Sequence, residues 1–319
     1  MTMTQTILVT GANGFIGQAL CKALEGTDFT TITAGRRRLT TSLSDHRPLP
    51  DLSQEELMIS PNLFEGVDQV VHLAAIAHRE QVDDSSYDAV NNKAVITIAN
   101  AAADAGCKRF VFMSTAKVLG ETGTDLIDDS PGNPPDAYSR AKYAAEQELA
   151  LIGEQREMAV ISLRPPLVHA AEAKANLARL ATIIKQGGLN GFPLPLGRTE
   201  NKRSVISRDN LIDAIITVLQ AEEAPSGAYL IADQPAIATD AIIQSLAKGM
   251  GKKAPVFNMA PGIVRAMLQM LGKQGLADRL LGDFSLDDYR FRREFAWKPE
   301  GDTAEGLVKT GRGIAARRG

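Results

Sequence analysis

One stretch near the start of the chain restricts its fold more than any other: Thr6-Ile7-Leu8-Val9-Thr10-Gly11-Ala12-Asn13-Gly14-Phe15-Ile16-Gly17. The apolar run Ile7 to Val9 predicts a strand buried on both faces of a parallel sheet. Three glycines at intervals of three follow, and Gln18 to Leu24 then repeats its apolar residues at helical spacing. Strand, glycine turn and helix in that order build a corner where backbone N–H groups and a helix N-terminus face an anion, the arrangement that holds a dinucleotide pyrophosphate. Gly11 serves the tight turn, Gly14 the close approach of backbone to phosphate, and Gly17 the packing of helix on strand. Asn13, Phe15 and Ile16 complete the loop. The plain alternative is a glycine-rich turn that binds nothing, and the flanking strand and helix count against it.

At 319 residues the chain suits one large α/β unit or two closely joined domains, and 44% hydrophobic residues with a mean hydropathy of -0.09 can fill a sizeable core. A net charge of -3 and a pI near 5.9 give no general attraction to nucleic acid. Cys21 and Cys107 fall in apolar, helix-like surroundings without disulfide or metal spacing, so they read as buried thiols of a reducing compartment, the cytoplasm. Met1 to Gln5 has no signal-peptide character, and no apolar run is long enough to span a membrane. Ile263 to Leu271 is apolar and bordered by basic residues; a packed helix is expected there in preference to one lying on a membrane surface. The four histidines are scattered, and no metal site is expected.

Thr30 to Ala34 predicts the second strand, followed by Gly35-Arg36-Arg37-Arg38. An NAD-preferring fold places Asp or Glu at this strand end to accept from the ribose 2′-hydroxyl, whereas guanidinium groups bind a 2′-phosphate. Arg36 and Arg37 therefore favour NADP(H), with NAD(H) as the alternative; the plain reading is a solvated basic turn. Thr40 to Ser60 is poorly patterned, and Asp51-Leu52 is placed beside an adenine. Asp68 to Ala75 predicts a strand ending in small residues, where Leu73, Ala74 and Ala75 leave room for a cofactor. His72 lies inside that apolar run and reads as structural; His78, just beyond it, is a candidate substrate contact. Tyr87 to Ala105 predicts a long helix carrying Asn91, and Lys108 to Met113 a buried strand that delivers Ser114 and Thr115 at its carboxyl end.

A loop from Gly120 to Asp136 leads to Tyr138-Ser139-Arg140-Ala141-Lys142, which opens a helix reaching about Ile152. Residues four apart share a helix face, so Tyr138 and Lys142 stand together. A free tyrosine titrates near pH 10; a neighbouring ammonium is expected to lower that value toward the working range. A hydroxyl from Ser114 or Thr115 would then bond the oxygen on which the proton moves, while a nicotinamide on the same edge exchanges hydride. A lone Tyr-x-x-x-Lys is a weak signal; with the glycine corner and a Ser-Thr strand end it becomes specific.

With these residues in place the chain resembles the extended short-chain dehydrogenase/reductase superfamily, and within it the NAD-dependent epimerase/dehydratase family. The matching segments are Thr10 to Gly17, His72-Leu73-Ala74-Ala75, Phe112-Met113-Ser114-Thr115 and Tyr138 to Lys142. It looks most like bacterial nucleotide-sugar 4-epimerases and UDP-4-keto-sugar reductases. The resemblance implies a Rossmann-type doubly wound parallel sheet with a smaller mixed α/β C-terminal substrate domain, residues 1–165 (with a segment near 203–233 returning) binding NAD(P) and most of 166–319 the sugar. It puts the catalytic set at Thr115, with Ser114 beside it, Tyr138 and Lys142, and the helix Asn at Asn91. It also implies that Pro165 passes the nicotinamide, that Asn176 and Arg203 meet the substrate diphosphate, that Phe192 to Gly197 packs on the base, and that the enzyme forms a homodimer. Arg279 and Asp283 are candidates for closing the sugar pocket, Asp287 to Trp297 for the final helix, and Arg312, Arg317 and Arg318 for a mobile basic tail.

One departure is informative. Family members that dehydrate a sugar carry Asp-Glu directly after the triad hydroxyl, and here those positions are Ala116 and Lys117; a 4,6-dehydratase is disfavoured. Leu119 also departs from the Tyr of many relatives. The leading expectation is an NADPH-dependent 4-keto-sugar reductase of polysaccharide precursor synthesis, acting at C4 of a UDP-sugar. The alternative is a UDP-glucose-type 4-epimerase, and a non-catalytic dinucleotide-binding protein is a third reading that the intact Tyr138 and Lys142 count against.

Overall fold

A computed structural model of the chain describes residues 4–38, 45–77, 83–173 and 176–317. Seven parallel strands form the main sheet: β1 (Thr6–Thr10), β2 (Thr30–Gly35), β3 (Asp45–Pro48), β4 (Gln69–His72), β5 (Arg109–Met113), β7 (Ala159–Arg164) and β10 (Gly227–Leu230), in the order β10-β7-β5-β4-β1-β2-β3. From β1 the chain winds outward through β2 to β3, then returns to place β4 on the other side of β1 and winds outward again. That reversal between β1 and β4 is the switch point at which doubly wound sheets bind ligands, outside the carboxyl ends of the strands.

Period-two alternation distributes β1 between two cores. Ile7 and Val9 join the core under α1 (Phe15–Leu24), α6 (Arg208–Gln220) and α10 (Tyr289–Glu294), with Val111, Ile161, Ile215, Phe291 and Trp297. Leu8 points the other way, into the core under α3 (Ala94–Asp104) and α4 (Ala137–Arg156), with Val70, Ile98, Phe110 and Leu149. A third core, with Leu177, Ile243, Leu246, Val264 and Leu307, lies among α5 (Asn176–Lys185), α7 (Thr239–Gly249), α8 (Pro261–Met270), α9 (Gln274–Leu281) and α11 (Thr303–Ala316). In it α7 and α11 meet backbone to backbone: a Cβ on Gly249 would lie 2.1 Å from the Val308 carbonyl oxygen.

Several expectations change. The 40–60 stretch contains a strand, β3, whose polar residues pair in register with Ile32 to Gly35. The expected long helix is three pieces, α2 (Asp84–Asp88), a π-helical turn (Ala89–Lys93) and α3. The 120–136 loop holds β6 (Gly123–Leu126), parallel to β11 (Phe284–Leu286), and β8 (Leu167–His169) pairs with β9 (Val205–Ser207). The final helix is α11, not the 287–297 segment, because Phe291, Phe295 and Trp297 turn that segment into the sheet core. The basic tail is tied down as far as it is described: Arg312 lies within α11 and Arg317 pairs with Glu172, while Arg318 is outside the described residues. Cys21 and Cys107 are free, buried thiols whose pKa values burial raises to about 11.

Candidate active site

At the β1–α1 corner Gly11 takes a positive φ of 67°, and a Cβ there would come within 2.5 Å of the Ala74 nitrogen. Gly17 presses on the same turn, its added Cβ meeting the Gly11 carbonyl oxygen at 2.3 Å. Gly14 caps α1 without a side chain, so the first-turn amides, Phe15 and Ile16 included, have no side-chain cap. The Phe15 and Ile16 side chains turn inward, Phe15 under the Arg208 guanidinium at 5.1 Å and Ile16 against the sheet core. Backbone donors, a helix N-terminus and the absence of Cβ atoms are what a pyrophosphate requires.

A cleft of about 980 Å³ opens from this corner along the sheet edge, lined by Gly11, Asn13 and Gly14, by Arg36 to Arg38, by Leu49 to Ser53, and by Leu73 to Ile76. Arg37 and Asn13 are joined, the Asn13 amide donating to the Arg37 carbonyl at 2.8 Å. Arg36 donates to Asp51 at 2.9 Å, and Asp51 is held below the usual carboxylate range by hydrogen bonds from Ser53 and by Arg36. The Arg36 to Arg38 run, expected to favour a 2′-phosphate, is therefore partly neutralised by Asp51. Asn91 does not face this cleft: fully buried in the π-helical turn, it accepts from the Ile76 N–H and donates to the Ile76 carbonyl, both at 2.9 Å. It pins the loop after β4.

The second half of the edge carries the proton-transfer groups. Beyond β5, Ser114 N–H donates to the Leu163 carbonyl and Ala116 N–H to that of Pro165, at 2.8 and 2.9 Å, so Ser114 and Thr115 ride beside β7 and Pro165. The Thr115 hydroxyl accepts from Lys117 N–H at 3.3 Å, and the buried Ser114 hydroxyl has no partner among the described residues. Asp136 caps α4 in a reciprocal box with Ser139. Tyr138 and Lys142 follow on that helix.

Their electrostatics differ from expectation. Lys142 is 1% exposed, donates to the Met113 carbonyl at 2.8 Å and lies 4.4 Å from the Phe112 ring centre; burial lowers its pKa to about 7 although Glu146 opposes the shift. Tyr138 is pushed up to about 12 by burial, Asp136 and Tyr87, whose ring meets it edge-on at 6.2 Å. Lys142 is not among the groups that set the Tyr138 shift, and burial weakens the charge it carries. His72 is buried, its Nδ1 on the Thr10 hydroxyl at 3.0 Å and its pKa lowered to about 3 by burial and Lys142, which keeps it a neutral core residue.

Three residues missed in the sequence organise this edge. The Lys117 ammonium bridges Asp136 at 2.6 Å and Glu121 at 3.1 Å. Burial would raise Asp136, but the bonds from Lys117 and Ser139 outweigh it and hold the carboxyl at about 2. Asp-x-x-Ser before a helix is a capping signature and was available in the sequence; the reach of Lys117 was not. Arg203 is half-buried and donates to the Gly282 carbonyl at 3.2 Å; burial lowers its pKa, and Glu121 and Asp283 offset only part of that pull. Asp283 fastens the loop by accepting from Thr124 at 3.0 Å and from Lys202 N–H at 2.8 Å, while Arg279 folds back onto the Gly275 carbonyl. Asn176 opens α5 but its side chain, like all of His78, lies outside the described residues. No cluster of metal-binding side chains occurs among the described residues.

Comparison with known proteins identifies relatives of the chain. The profile of the NAD dependent epimerase/dehydratase family matches residues 7–232. A UDP-glucose 4-epimerase from Vibrio cholerae is 30% identical over 317 residues, covering 97% of this chain and 95% of that one. Two solved structures share the fold with a TM-score of 0.76: MoeE5 in complex with UDP-glucuronic acid and NAD, 20% identical and covering 98% of this chain and 99% of that one, and a UDP-N-acetylglucosamine 4-epimerase from Bacillus cereus, 18% identical and covering 99% and 100%.

Proposed function

The chain belongs to the NAD dependent epimerase/dehydratase family and is an enzyme, and from that premise we propose that it is a UDP-sugar 4-epimerase using NAD(H). The observation that carries the proposal is the joining of one hydroxyl pair, Ser114 and Thr115, with Tyr138 and Lys142 on a sheet edge, in a chain that aligns nearly end to end with a UDP-glucose 4-epimerase. The amides of Gly14, Phe15 and Ile16 would hold the pyrophosphate of a dinucleotide, and Asn13, Arg36, Arg37, Asp51 and Leu52 its adenosine end. The nicotinamide supplies the hydride acceptor and donor for C4. Leu73, Ala74, Ala75 and Pro165 line its path, and Asn91 fixes the loop beneath.

Tyr138, as phenolate, would take the proton from the C4 hydroxyl on oxidation and return it to the C4 oxygen on reduction. Thr115, with Ser114, donates to the same oxygen and holds it against the phenol. Lys142, held beneath the edge on the Met113 carbonyl, would supply positive charge to the phenolate in its protonated form. Arg203 and Asn176 hold the UDP diphosphate and His78 faces the sugar. Two copies pair as a homodimer in a reducing, cytoplasmic setting.

The Arg36–Arg38 run favours a second reading, NADPH-dependent reduction of a UDP-4-keto sugar; the Asp51 carboxylate on Arg36 weighs against it. The test incubates the protein with UDP-glucose, UDP-N-acetylglucosamine or UDP-glucuronic acid without added nicotinamide and follows C4 inversion by NMR. The expected result is interconversion of one of them, with Tyr138→Phe slower by about 10²–10⁴-fold while still binding NAD. No inversion of any, together with NADPH consumption on a UDP-4-keto-6-deoxy sugar, would establish the reductase instead.

A further inference from the structure

Helix α8 is apolar on two sides. Val264 and Leu268 face inward to the third core, whereas Ile263, Met267, Met270 and Leu271, spaced i, i+4, i+7 and i+8, form a second stripe turned to solvent with exposures of 55, 44, 81 and 67%. Phe257, just upstream, is 44% exposed. Scattered apolar surface is ordinary, but a continuous outward stripe marks an interaction face.

Charge identifies the occupant. Between residues 248 and 281 the chain carries six cations and one carboxylate, within a protein of net charge -3. That carboxylate, Asp278, is bound to Arg265 at 2.6 Å, and Lys252, Lys253 and Lys273 are exposed. An apolar helical face with exposed lysines before and after it in the chain has the composition of a helix that lies in a membrane interface. Ten residues span about 15 Å, and no helix among the described residues is long and apolar enough to cross a membrane, so α8 would rest in the plane of the surface.

We propose that α8 docks the protein on an anionic bilayer surface, Met270 and Leu271 entering the acyl boundary and Lys252, Lys253 and Lys273 meeting the headgroups. This is independent of the sugar chemistry. From α9 the chain runs directly into Gly282 and Asp283, which hold Arg203 and Lys202, so docking brings the candidate site close to the surface.

The test sediments the full-length protein with phosphatidylcholine vesicles, with or without phosphatidylglycerol, and measures its oligomeric state in parallel. Binding is expected only to the phosphatidylglycerol-containing vesicles, falling with added salt and by about fivefold for each of Lys252→Gln and Lys273→Gln. The Met270→Glu/Leu271→Glu double variant should lose at least tenfold in binding while keeping the melting temperature and epimerase activity of the parent. Absence of binding, equal binding to pure phosphatidylcholine, or an unaffected double variant overturns the proposal. So does a double variant that turns a dimer into a monomer when the parent binds no vesicles, which would assign the stripe to a second copy of the chain.

Discussion

Buried Lys142 makes stability depend on pH with a definite sign. Its pKa falls from 10.5 in an unfolded chain to about 7 in the fold. Between those values the unfolded chain holds a proton that the folded one lacks, so stability rises with pH across the window and the full penalty applies below it. Lys142→Met is therefore expected to gain most in melting temperature, relative to the parent, below pH 7, and to lose that advantage as pH approaches 10.5; a difference constant with pH would contradict the burial argument. Tyr138 and Lys142 were legible as a pair from their spacing. The direction of the Tyr138 shift was not, because it comes first from burial of the ring and then from Asp136 and Tyr87.

Helix ends carry the next set of consequences. Asp136 both caps α4 and anchors Lys117, so Asp136→Ala is expected to cost about 1–2 kcal/mol in chemical denaturation. It should also lower the apparent pKa of Tyr138 in the alkaline limb of the rate profile, since the carboxylate raises it now. At the other helix, Gly17→Ala forces a Cβ onto the Gly11 carbonyl at 2.3 Å. Loss of the thermal shift given by NAD is the expected outcome, read by differential scanning fluorimetry, and an unchanged shift would mean that α1 can slide. Both helices announce themselves in sequence, one by its glycines and the other by its capping residues. β3 and β6 do not: Asp45 to Pro48 and Gly123 to Leu126 are short and polar or irregular, and each is a strand only because β2 or β11 offers it an edge. The π-helical turn is equally silent, and its Asn91 bonds Ile76 fifteen residues away.

Across the whole molecule, long-range polar contacts lock the helices to the sheet. Arg164, at the end of β7, is 5% exposed and holds Glu146 of α4 through bonds of 3.0, 3.2 and 2.6 Å, while donating to the Asp128 carbonyl at 2.7 Å. Removing one partner strands a buried charge, so Arg164→Met is expected to cost about 3–5 kcal/mol and Arg164→Met/Glu146→Leu to recover most of it; equilibrium urea unfolding of the two variants decides it. The glycine corner and the run of buried strands made the doubly wound sheet readable. The contacts that join distant segments were hidden, since nothing local in Arg164 names Glu146 and nothing in Asp125 names Ser285. That last pair has a temporal meaning. Asp125 N–H donates to the Ser285 hydroxyl at 2.7 Å, that hydroxyl donates back to the Asp125 carboxylate at 2.9 Å, and Gly123 pairs with Phe284, all about 160 residues apart. A chain emerging from the ribosome therefore displays its glycine corner, its hydroxyls and its tyrosine long before the partner of β6 arrives. For most of synthesis the nascent chain has its glycine corner without the strand that completes the β6–β11 pair.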